Sequence, residues 1–206
     1  MSPENHMVLV LDDDRSVVNG LQRLLSAHGY RVRAYMESED LFRDCLPCAP
    51  TCLILDNQLR DGMTGMQVHQ EMQRRGWEIP TVFLTAHWNV QSVVKAMRAG
   101  ADGFLTKPFE PSELLSAVSE ALNRARTRMH EDQFIADARK NSATLTQRER
   151  EVVKLVVSGM LNKEIADVLN LALVTVKVHR GRAMRKLHAG NAAELARIAG
   201  ICGILE

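Results

Sequence analysis

The chain has 206 residues, enough for one medium domain and a small second one, since domains commonly run about 100–150 residues. Apolar residues make up 46% and charged residues 25%, ordinary for a soluble globular protein, and no apolar run approaches the ~20 residues of a membrane-crossing helix. The net charge of +1 excludes nothing by itself, but residues 1–110 carry 11 Lys/Arg against 14 Asp/Glu, whereas residues 145–206 carry 10 against 6.

The first six residues lack the basic and apolar regions of a signal peptide, so the expected location is cytoplasmic. Met7–Leu11 is a continuous apolar run that stops at Asp12-Asp13-Asp14. Val17, Val18, Leu21, Leu24 and Leu25 then recur at helical spacing up to Gly29. A strand is predicted over Arg31–Tyr35 and a helix over Ser38–Cys45. A second apolar strand, Cys52–Leu55, ends at Asp56. Helices are predicted near Met66–Arg75 and Val90–Ala99, with a buried strand Thr81–Leu84 between them. Gly103–Thr106 forms the last strand before Lys107-Pro108, and a helix runs from about Ser112 to roughly Arg128. Alternating strands and helices imply a doubly wound parallel sheet of five strands, whose function gathers at the carboxyl ends of the strands. Cys45, Cys48, Cys52 and Cys202 lack a fourth metal ligand at zinc-site spacing, so they read as buried or incidental thiols.

Those strand ends carry Asp12 and Asp13, Asp56, Thr85 and Lys107. A carboxylate accepts a phosphoryl group only when the incoming charge is neutralised. Mg²⁺ does this, held by a few carboxylates, while a lysine and a hydroxyl serve the phosphoryl oxygens. An aspartate after a strand is also a common helix cap, and Asp13 or Asp14 suits that role. The joint pattern Asp12-Asp13, Asp56, Thr85-Ala86 and Lys107-Pro108-Phe109 resembles the receiver domain of two-component systems. The resemblance implies a flavodoxin- or CheY-like fold over residues 6–125, Asp56 as phosphoacceptor, and Asp12, Asp13, Asp56 and the Gln58 carbonyl as Mg²⁺ ligands. It further implies Lys107 as phosphoryl-binding cation, Thr85 and Phe104 as switch residues, and a Lys107-Pro108 bond that is usually cis. One stretch departs from the family pattern: after Asp56 the proline is absent, and the glycine at Gly65 arrives one residue late, so the Arg60–Gly62 loop is longer.

Residues 126–142 are polar without Pro or Gly and read as a helical linker. Beyond Leu145 only helices are predicted, near Gln147–Ser158, Lys163–Leu169, Val174–Leu187 and Ala192–Ile201, separated by Gly159, Asn170 and Gly190. Thr146 and Glu149 form a capping-box pattern. No acidic residue occurs from Val168 to Ala193, while Lys177, Arg180, Arg182, Arg185 and Lys186 do, which suits a phosphate-contacting surface. Val176, Ala183, Met184 and Leu187 suit the buried side of the longest of these helices. The motif Asn162-Lys-Glu-Ile-Ala followed by Thr175-Val-Lys-Val-His-Arg resembles the LuxR-type helix-turn-helix, over residues 143–206. The whole chain is similar to the FixJ/NarL class of response regulators. That resemblance implies base contacts from Lys177, Val178 and Gly181, with Thr175, Arg180, Arg182 and Arg185 around them. It also implies a terminal dimerisation helix carrying Ala193, Leu195, Ile198 and Cys202.

The expected function is transcriptional regulation. A sensor histidine kinase phosphorylates Asp56, and the chain then forms a homodimer on double-stranded promoter DNA and engages RNA polymerase, with Mg²⁺ as cofactor and no membrane or enzymatic role. Two alternatives are weighed. A haloacid-dehalogenase-type phosphatase would use Asp12-x-Asp14 but leaves Asp56, Lys107-Pro108 and the C-terminal region unexplained. A receiver-type transcription factor working without phosphorylation would draw on the altered Arg60–Gly62 loop.

Overall fold

The computed structural model describes residues 6–44, 49–60, 62–86 and 102–205. The chain forms two compact units, Met1–Met129 and His130–Glu206. The first contains β1 (Met7–Leu11), α1 (Arg15–Ala27), β2 (Arg31–Tyr35), α2 (Ser38–Arg43), β3 (Thr51–Asp56), α3 (Gly65–Arg74), β4 (Thr81–Thr85) and β5 (Gly103–Thr106). A long helix, α4 (Pro111–Ser142), begins in this unit with proline in its first turn, where the missing N–H costs nothing.

All strand pairs are parallel, in the order β2-β1-β3-β4-β5. Every residue of β1, β3 and β4 is buried, as continuous apolar runs require in strands covered on both faces. Side chains alternate between two cores. Val8, Val10, Cys52, Ile54, Val82 and Leu84 face one side with Leu21 of α1 and Leu114 of α4. Leu9, Leu11, Leu53, Leu55 and Phe83 face the other with Leu41 of α2 and Met72 of α3. Burial pushes the Cys52 thiol up, consistent with an inert core residue.

The boundaries differ from the sequence reading in a few places. Helix α2 ends at Arg43, because Asp44 turns to extended backbone and its carboxylate accepts from the Tyr35 hydroxyl at 2.5 Å and Arg33 at 3.0 Å. Strand β3 includes Asp56 itself. The helix read as Ser112–Arg128 continues unbroken to Ser142, through the segment read as a helical linker. The helix expected at Val90–Ala99, and Cys45 and Cys48, lie outside the described residues.

The second unit contains α5 (Gln147–Val157), α6 (Asn162–Leu169), α7 (Leu173–Lys186) and α8 (Ala192–Ile201). Thr146 and Glu149 close the expected capping box on α5, with the Thr146 N–H donating to Glu149 at 2.8 Å. Asn170 ends α6 in the left-handed region, φ 52°, which asparagine tolerates, and α7 starts three residues later. His188 also has positive φ, 53°, where the sequence reading placed the break at Gly190. Val152, Val153, Ile165, Val176, Ala183, Leu187, Leu195 and Ile198 share one core. No helix of the described residues is long and apolar enough to cross a membrane.

Candidate functional site

Strand order reverses between β1 and β3, the place where a doubly wound sheet opens a crevice at its carboxyl edge. The chain leaves β1 through Asp12-Asp13-Asp14, and Asp14 takes the capping role: its carboxylate accepts from the Ser16 N–H at 2.7 Å. Asp12 and Asp13 are thereby left for the crevice. Asp12 folds back to accept from the Asp14 N–H at 2.9 Å, while its other oxygen takes Lys107 Nζ at 2.6 Å. The same Nζ donates to Asp56 Oδ1 at 2.9 Å, and the remaining Asp56 oxygen accepts from the Gln58 N–H at 2.9 Å.

Carboxylate oxygens of Asp12, Asp13 and Asp56 lie within 4.8 Å of one another. They line an open pocket of about 460 Å³ with Gln58, Arg60, Ala86 and Lys107. Asp12 and Asp56 are buried. Burial above all raises the Asp12 carboxyl above the usual range, Asp56 adds like charge, and Lys107 only partly compensates. Burial pulls the Lys107 ammonium down, but its bonds to Asp12 and Asp56 outweigh this and hold it above its ordinary value. Three hard oxygen donors without His or Cys fit Mg²⁺, whose ligands sit at ~2.0–2.1 Å, rather than zinc.

The other receiver positions are near but not in this pocket. Thr85 ends β4 and is buried, one residue before the pocket-lining Ala86, and its carbonyl accepts from the Lys107 N–H at 2.7 Å. The Lys107-Pro108 bond is cis, as the resemblance implies. Phe104 pairs with Phe83 across β4–β5 and packs half-buried against the core that holds Leu9, Leu55 and Phe83, outside the pocket. The late glycine of the loop, Gly65, is required by a close approach: a Cβ there would meet the Asp56 carbonyl oxygen at 2.4 Å. Sequence reading marked the Arg60–Gly62 loop as unusual but missed its contact, since Arg60 Nε lies 2.9 Å from Asp13 Oδ2.

In the second unit, α6 and α7 make a helix-turn-helix. Val176, Ala183 and Leu187 are buried, Met184 is half-buried, and Lys177, Val178, Gly181, Arg182 and Arg185 stand exposed on the other side. Thr175 and Arg180 are intermediate. Three cations of the basic stretch have partners within the unit, Arg185 Nε donating to the Gly181 carbonyl of its own helix at 3.4 Å. Arg180 donates to Asn162 at 2.9 Å, and Lys186 donates to buried Glu149 at 2.6 Å and to the Thr144 carbonyl at 2.9 Å. The terminal helix differs from the expectation too: Leu195 and Ile198 fill this unit's own core, which leaves Ala192, Ala193, Arg197 and Gly200 exposed on α8.

Residues 8–119 match the family described as response regulator receiver domain, and residues 143–199 match the bacterial regulatory proteins of the luxR family. Nodulation protein W of Bradyrhizobium diazoefficiens is 37% identical over 198 residues, covering 96% of this chain and 87% of that protein. The transcriptional regulatory protein FixJ of Azorhizobium caulinodans is 32% identical over 98% of this chain and 95% of its own length. Among solved structures, response regulator StyR superposes with a TM-score of 0.82 at 36% identity, covering 95% of this chain and 98% of StyR. The five-stranded receiver fold, the helix-turn-helix and this kinship over nearly the whole length place the chain among the two-component response regulators of FixJ-like architecture, with a receiver domain joined to a LuxR-type DNA-binding domain.

Proposed function

We propose that Asp56 is the phosphoacceptor and that its phosphorylation by a sensor histidine kinase controls dimerisation and promoter binding. The observation that carries this reading is Lys107, whose Nζ bridges Asp12 and Asp56 at 2.6 and 2.9 Å on the carboxyl edge of the sheet. In the transfer, an Asp56 oxygen bonds to phosphorus as the P–N bond of the donor phosphohistidine breaks and the imidazole leaves. Asp12, Asp13, Asp56 and the Gln58 carbonyl would hold Mg²⁺, which would supply charge neutralisation at the phosphoryl oxygens when bound. Lys107 follows the new charge from the Asp56 oxygen to a phosphoryl oxygen. The Thr85 hydroxyl donates to another, and Phe104 repacks beside it, a local charge event read out on a bistable surface.

Residues 6–125 then serve as receiver, 126–142 as helical linker and 143–206 as DNA-binding domain. Helix α7 enters the major groove, with Lys177, Val178 and Gly181 toward the bases and Thr175, Arg180, Arg182 and Arg185 toward the backbone. A homodimer on promoter DNA meets RNA polymerase in the cytoplasm, and the chain turns over no substrate beyond its own phosphorylation. Incubation with Mg²⁺ and a small acyl phosphate tests this against Asp56→Asn. Labelling, dimerisation and tighter promoter binding are expected in the wild type alone. Intact DNA binding with no response to the donor would instead favour a receiver that works without phosphorylation.

A further inference from the structure

The loop after Asp56 is one residue longer than the family pattern, and its Arg60 is a second protein cation at the acidic pocket. Arg60 lines the pocket and pairs with Asp13 at 2.9 Å, while Lys107 pairs with Asp12 and Asp56. Each of the three carboxylates thus has a cationic partner, and their formal charge of −3 is reduced to −1 by Lys107 and Arg60 together. The two cations are held very differently. The Lys107 side chain is 23% exposed and bonded to two carboxylates, whereas the Arg60 side chain is 86% exposed and paired with one. Only Arg60 can leave for water at small cost.

We propose that Arg60 is a resident counter-cation of Asp13 that the divalent ion displaces, so that this residue sets the Mg²⁺ concentration at which the receiver becomes competent. The proposal rests on the Mg²⁺ reading of Asp12, Asp13 and Asp56. With Arg60 on Asp13 an arriving Mg²⁺ meets three carboxylates offset to a formal −1, and with Arg60 released it meets them at −2, while Asp14, which also lines the pocket, adds the same charge in both cases, so binding and release are coupled. The coupling is bounded by the weakness of an exposed pair, which limits the effect on affinity to about two- to fivefold.

Calorimetric titration of the full chain with Mg²⁺, without any phosphodonor, tests this on wild type, Arg60→Gln, Arg60→Lys, Asp13→Asn and the Asp13→Asn/Arg60→Gln double variant. Arg60 is a surface side chain, so its variants keep the fold. Arg60→Gln is expected to bind Mg²⁺ about two- to fivefold tighter, with Arg60→Lys falling back toward the wild type. On the Asp13→Asn background the Arg60 substitution is expected to change nothing. Equal affinities of wild type and Arg60→Gln, or weaker binding by Arg60→Gln, overturn the proposal while the metal site stands. No Mg²⁺ binding by any of the proteins overturns the metal reading beneath it.

Discussion

Gly65 is where backbone packing, rather than side-chain chemistry, sets the position of Asp56. It is the first residue of α3, its N–H donates to the Asn57 carbonyl at 3.0 Å, and Thr64 before it closes a capping box with Gln67. In Gly65→Ala the new Cβ would lie 2.4 Å from the Asp56 carbonyl oxygen and 2.9 Å from Asn57 Cα, both main-chain atoms. Reaching the ~3.0 Å floor of real Cβ contacts from 2.4 Å requires the end of β3 and the start of α3 to part by about 0.6 Å. Overpacking of this kind costs about 1–3 kcal/mol, and the better helix propensity of alanine returns up to ~1 kcal/mol. From the middle of the overpacking range, about 2 kcal/mol, the net loss is about 1–2 kcal/mol, a drop in melting temperature of about 4–10 °C for a domain of this size. Because Asp56 is the residue displaced, its labelling by an acyl phosphate in Mg²⁺ should slow by about tenfold or more. Gly20→Ala is the control: a Cβ at that exposed position of α1 meets nothing within 4 Å, and it should stabilise by about 0.5–1 kcal/mol. Unchanged melting and unchanged labelling in Gly65→Ala would refute the argument that close approach fixes this glycine.

Lys186→Met should destabilise the DNA-binding unit by about 2–4 kcal/mol, below a fully buried pair because the Lys186 side chain is 35% exposed, measured by urea unfolding. In the wild type, burial works against the Glu149 carboxylate, but Lys186 and Thr146 outweigh it and lower its pKa. Its stabilisation is therefore present above the unfolded value of about 4.3 and lost as pH falls through the lower folded value. Lys186→Met should reverse that dependence, gaining stability on acidification because Glu149 protonates. Gly181→Lys places a side chain in open space on the exposed face of α7. It should stabilise the helix by about 0.5–1 kcal/mol and, as one more cation inside the groove releasing a counterion from the flanking phosphates, steepen the salt dependence of DNA binding by up to ~0.9 in log–log slope. An unaltered slope in salt titrations would place position 181 away from the DNA.

Much of this was legible in the sequence because the relevant signals are local. Strands β1, β3 and β4 read as continuous apolar runs, and the acidic residues fall where those runs stop. Asp14 as cap was not separable from Asp13, since adjacent carboxylates carry the same propensity and only the Ser16 hydrogen bond distinguishes them. Leu195 and Ile198 looked like interface residues because an apolar side chain does not reveal which core it fills. Lys186 counts toward the basic stretch for the parallel reason that charge carries no direction until Glu149 is in place. The Arg60 contact with Asp13 joins two loops 47 positions apart and needed the sheet order to be seen.

The pocket's three anchor points enter the chain far apart, with Lys107 following Asp12 by 95 positions and Asp56 by 51. During synthesis both aspartates emerge well before the lysine that neutralises them, and β5, which delivers it, is an edge strand added after the other four. A nascent chain therefore carries Asp56 without the lysine that pairs with it in the finished sheet. On the role proposed for Asp56, competence to hear the kinase arrives with the last strand of the sheet, so an unfinished receiver stays silent until its fold is closed.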